Sequence, residues 1–130
     1  MIKRAFTTTA VALVTVVAIA VPAFADGWQS VSLSTSGGNF SGQIYTDSGS
    51  NKFRVTGNVD DSTSYSDCTY VSVKDEFGYQ ILRKEVCGGN WARIDTGLQS
   101  NRGGDDVEIK VCRNRNNWPD DCTTKWYYFT

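Results

Sequence analysis

The residues of this chain best suited to acid–base chemistry are four carboxylate doublets: Asp60-Asp61, Asp75-Glu76, Asp105-Asp106 and Asp120-Asp121. Two carboxyl groups facing each other across a cleft are the machinery of a glycosidase. Each doublet, however, lies beside turn-forming residues, where Asp commonly ends a loop in water. The chain has no His, which removes the most frequent general base and zinc ligand. It has no Gly-x-Ser-x-Gly elbow and no Ser-x-x-Lys pair. The expected protein is therefore not an enzyme, with no catalytic residues and no cofactor. Oxygen-rich stretches at Asp60 to Asp67 and Asn116 to Asp121 could supply calcium ligands, but EF-hand spacing is absent and no metal ligand is assigned.

The remaining reactive side chains are Cys68, Cys87, Cys112 and Cys122. They form no Cys-x-x-Cys pair, so neither a zinc site nor a redox dithiol is indicated. An even number of cysteines behind an export signal implies two disulfides. The expected pairs are Cys68–Cys87 and Cys112–Cys122, because each brackets a hairpin.

The export signal occupies residues 1–25. Lys3 and Arg4 precede an apolar run from Ala10 to Val21, and Ala23-Phe24-Ala25 is a small-x-small cleavage motif. Cleavage after Ala25 leaves a secreted domain over 26–130, without a membrane association. With Lys3 and Arg4 removed, 11 Lys+Arg stand against 14 Asp+Glu, a net charge of −3. That mild acidity argues against nucleic acid, whose binding requires clustered cations. A second exported or cell-surface protein, or a glycan, is the expected partner.

These residues must be carried by strands. Phe53, Val55, Gly57 and Val59 alternate with Lys52, Arg54, Thr56 and Asn58, a period of two that no amphipathic helix shows. Val31 and Leu33 alternate with serines. Phe40 with Ile44, Thr69 with Val71 and Val73, and Val107 with Ile109 and Val111 follow the same rule. Leu82, Val86, Ala92, Ile94 and Leu98 are further inward candidates. About eight short strands and no helix give an all-β fold, a small antiparallel β-sandwich of Ig-like or jelly-roll-like type. By parity Cys68 and Cys112 face outward, so the disulfides staple neighbouring strands on the surface.

Two groups of residues stand out for binding. The last strand, Thr123 to Phe129, carries Tyr127 and Phe129 on one face and Trp126 and Tyr128 on the other, so one face is not an ordinary polar exterior. Tyr45 and Tyr70 share the outward parity, and the expectation is one continuous aromatic patch of Tyr45, Tyr70, Trp126 and Tyr128. The second group is the loop closed by Cys112–Cys122, where Trp118 stands among Arg113, Arg115 and Asn116. A ring on a pinned loop loses little entropy on binding. Trp28 fits either an N-terminal arm or a first strand.

Together these features describe a secreted, non-catalytic protein-interaction domain: an inhibitor, an adaptor or a subunit of an extracellular assembly. The alternative is a lectin-like carbohydrate-binding module, in which rings stack on sugars. In general style the export signal and four-cysteine β body resemble small secreted proteins of actinomycete-like bacteria, including inhibitors and subunits of exported toxin complexes.

Overall fold

The computed structural model describes residues 27–62, 66–102 and 104–129. The expected signal segment and its cleavage site lie outside the described residues. Alternating β-branched and polar residues, punctuated by Gly, Asn and Asp, produce nine strands among the described residues. They are β1 (Gly27–Ser34), β2 (Gly38–Asp47), β3 (Lys52–Asp61), β4 (Cys68–Asp75), β5 (Gln80–Cys87), β6 (Trp91–Asp95), β7 (Gln99–Ser100), β8 (Asp106–Asn114) and β9 (Asp121–Tyr128).

The strands build two antiparallel sheets. The first has the order β1-β2-β3-β6, with the two-residue β7 also paired to β3; the second has the order β5-β4-β8-β9. Contacts of β1 with β9, β2 with β8, β3 with β4 and β5 with β6 stack the sheets face to face. The parity read from sequence is the parity observed. Val31, Leu33, Phe40, Ile44, Phe53, Val55 and Val59 meet Val71, Val73, Val107, Ile109 and Val111 in one core. Each fully buried side chain of this kind adds about 1.5–3 kcal/mol. Gly42 and Gly57 lie opposite each other on the inward face. A Cβ on Gly57 would lie 2.7 Å from Phe40 Cζ, so its absence makes room for that ring.

Leu98 departs from expectation: it is exposed, not inward. It follows Gly97, whose φ of 69° turns the chain off the end of β6 before its side chain can reach the core.

Both disulfides are the expected ones, Cys68–Cys87 and Cys112–Cys122. Each joins residues directly opposite in a hairpin, across β4–β5 and β8–β9. They share the outer face of the second sheet but are not wholly at the surface as expected: Cys87 and Cys122 are exposed, Cys68 is half-buried and Cys112 is fully buried. Such bridges fit an oxidising compartment, and no helix among the described residues is long and apolar enough to cross a membrane.

The register divides the loops between two ends. At one end lie the β2–β3 turn, the β4–β5 turn, the segment before β8 and the end of β9. Asn101 donates to the Asn51 carbonyl and Phe129 to the Asp105 carbonyl. At the other end, Asp61 accepts from Thr69 Oγ1 at 2.8 Å and from Gly89 at 3.1 Å. Ser36 Oγ donates to Asp121 at 2.6 Å, and Arg113 donates to Asp67 at 2.6 Å.

Candidate functional site

The β8–β9 tip is held from three sides. Cys112–Cys122 closes its base, the Tyr70 hydroxyl donates to Asp120 at 2.8 Å, and the Trp118 amide donates to the Arg115 carbonyl. Asn117 at φ 64° completes the turn. The Trp118 ring is left 68% exposed, with the Arg115 guanidinium 5.9 Å from its centroid. Asn116 is exposed beside it. Arg113, which the sequence grouped with these donors, faces elsewhere: its ion pair with Asp67 and its contact with Ser36 fasten the β8 end to neighbouring loops.

The four outward aromatics do not form one patch. Tyr45 belongs to the first sheet, where it meets Trp28 with ring centroids 5.4 Å apart. Tyr70 belongs to the second sheet but is only 9% exposed. The Arg83 guanidinium from β5 covers its ring at 3.9 Å. Burial, followed by the bond to Asp120, pushes its hydroxyl pKa up. Parity separates inside from outside, but it does not tell which sheet a strand joins or what a neighbouring strand lays over it.

Trp126 and Tyr128 remain as a pair. They project from the outer face of the edge strand β9 and are 41% and 51% exposed. Tyr127, on the opposite face, is buried, and Phe129 packs against Phe53 edge-on at 6.5 Å. Trp126 stands directly opposite Glu108, and Tyr128 directly opposite Asp106. Oxygens of Asp106 and Glu108 are buried there without hydrogen-bond partners.

Beyond Asp106 the end of the sandwich is acidic. Carboxylate oxygens of Glu76, Asp105 and Asp106 lie within 4.8 Å of one another, close enough to share a divalent cation. Glu76 accepts the Asp105 amide at 2.6 Å, which alone would lower its pKa. The Asp105 and Asp106 carboxyls and partial desolvation outweigh that bond, and the pKa rises. Burial and then the Asp105 charge raise that of Asp106. The adjoining β4–β5 turn is set by buried Asp75, which accepts from the Phe77 and Tyr79 amides at 3.0 and 2.9 Å and pairs with Arg102 at 2.7 Å. Phe77 and Tyr79 are thereby held at the surface.

The oxygen-rich loops considered for calcium are committed otherwise. Asp61, Asp67, Asp120 and Asp121 each accept a protein donor, and Thr63 to Tyr65 lie outside the described residues.

Sequence reading did not single out Trp91, Phe77 or Tyr79, and it left Trp28 open; Trp28 lies in β1. Trp91 has the parity opposite to Ala92 and Ile94 and is 63% exposed on the outer face of the first sheet. That alternation was the available signal. Comparison of the chain with protein-family models, with curated proteins and with solved structures found no match.

Proposed function

We propose that this chain is a secreted, non-catalytic interaction domain that engages another exported or cell-surface protein at the corner formed by the end of β9. The observation that carries the reading is the pair Trp126 and Tyr128, exposed side by side on an edge strand against Asp106 and Glu108, each with one oxygen buried and without a hydrogen-bond partner. Aromatic residues at the centre of an interface, surrounded by charge, are where binding energy concentrates. The raised pKa values of Glu76 and Asp106 mark charge that a partner cation would relieve. The complementary partner therefore presents Lys or Arg beside apolar side chains. Trp118, at the opposite end, is a separate anchor for the same kind of contact. The reading makes this an inhibitor, adaptor or assembly subunit.

The test is cross-linking mass spectrometry on the complex captured by the exported protein from its native medium. Cross-links concentrated on Lys125, Lys110 and Lys74, with capture weakened by Glu76→Gln/Asp106→Asn, support the corner. Cross-links confined to the first sheet would contradict it.

A further inference from the structure

The outer face of the first sheet has a different construction. Paired residues place Ser30, Gln43, Thr56 and Asp95 in one cross-strand row, and Ser32, Ser41, Asn58 and Arg93 in the next. Among the described residues, the side chains of Ser30, Ser32, Ser41, Gln43 and Thr56 make no hydrogen bond to the protein itself, and Asn58 Oδ1 is buried without a donor. Arg54 is consumed by a two-pronged pair with Asp95, at 2.9 and 2.6 Å. Lys52 and Arg93 against Asp47 and Asp60, the other charged residues of this face, bring its formal charge to zero.

Among the described residues, rings stand only at its margins. Trp28 and Tyr45 close one end, and Trp91, opposite Asp60, occupies the far corner. Six residues along a strand and three strand spacings across separate these rings by about 20 Å and about 14 Å in the two directions. A protein interface has the reverse plan, with apolar residues central, a polar rim and serine depleted. Ionic ligands such as phosphates find no net charge to bind.

We infer that this face is a binding platform for a neutral glycan chain, distinct from the β9 corner and independent of it. Hydroxyl and amide groups at the centre exchange hydrogen bonds with sugar hydroxyls, directly or through water. The marginal rings cover the apolar faces of sugar units and supply most of the affinity, because exchanging water for sugar hydroxyls yields little net gain.

The test is retention of the exported protein on insoluble cellulose, chitin and xylan, followed by titration with soluble oligosaccharides of whichever polymer retains it. The expected result is retention on at least one polymer, weakened about tenfold or more by Trp91→Ala. Ser41→Glu, which places a charge at the centre, should weaken it as well, while Trp126→Ala should not. Thermal unfolding confirms that each variant is folded. Failure on all three polymers overturns the inference, as does retention untouched by both Trp91→Ala and Ser41→Glu. Loss through Trp126→Ala alone would place sugar at the β9 corner and overturn it too. Failure on all three polymers, or retention untouched by Trp91→Ala and Ser41→Glu, leaves protein capture at that corner standing, so the two readings fail separately.

Discussion

The two aromatic surfaces of this sandwich are built in opposite ways. On the first sheet the centre is hydroxyl and amide, the charges cancel, and Trp28, Tyr45 and Trp91 stand at the margins. At the β9 corner Trp126 and Tyr128 stand together, with Glu108 and Asp106 directly opposite them and Glu76 and Asp105 clustered with Asp106. Both surfaces expose similar rings, so exposure alone does not distinguish them. What distinguishes them is the neighbourhood: one offers unused hydrogen-bonding capacity, the other clustered carboxylates. The rest of the second sheet's outer face is spent on holding itself together. There the disulfides lie, Arg83 covers Tyr70, and Asn114 donates to Glu85 at 2.8 Å.

The comparison breaks most visibly at the staples. Replacing Cys112 and Cys122 together by Ala should lower unfolding free energy by about 3 kcal/mol in denaturant titrations. It should loosen β9 and its corner before it affects the first sheet. Equal losses of partner capture and glycan retention would mean that the surfaces are not separate. Asp75→Ala should cost about 2–3 kcal/mol, because it leaves the Phe77 and Tyr79 amides without their acceptor and releases Arg102. Trp118→Ala should change stability by less than about 1 kcal/mol, since the tip is held by Cys122, Asp120 and the Arg115 carbonyl and not by the ring. A large fall in melting temperature would show that Trp118 belongs to the fold.

The smallest effects are electrostatic and have opposite signs in the two regions. Asp95 is held well below the ordinary carboxylate range by Arg54 and then by the Gly97 amide. A depressed pKa in the folded state gives stability that is present above the unfolded value and lost as pH falls through the folded one. Asp106 has a raised value from burial and then the Asp105 charge, and Glu76 from the Asp105 carboxyl and partial desolvation, so ionising them destabilises the fold at neutral pH, and mild acidification relieves it. Melting temperature should therefore rise slightly below neutrality and fall only in stronger acid. Glu76→Gln should flatten the rise, and Asp95→Asn should soften the acid fall. A monotonic profile unchanged by either variant would remove the electrostatic contrast.

Much of the fold was legible because a period of two survives in the core strands. Phe53, Val55 and Val59 sit where alternation places them, and the cysteines pair across the hairpins they bracket. The two-residue β7 is too short to carry a pattern, and Gly97 turns Leu98 away from the core. The site was legible in part. Trp118, Trp126 and Tyr128 are exposed as their loop and parity implied. Tyr45 and Tyr70 could not be joined or separated from parity, because sheet membership depends on pairings distant in sequence. The same limit concealed the serine face: Ser30 and Ser32 alternate plainly in β1, but their alignment with Ser41, Gln43 and Asn58 exists only in the register.

The most direct test is calorimetric titration of the purified protein with a partner isolated by cross-linking, comparing the wild type with Trp126→Ala/Tyr128→Ala. Removing both rings should cost at least about tenfold in affinity, with thermal unfolding nearly unchanged. Equal affinities for the two proteins would contradict it.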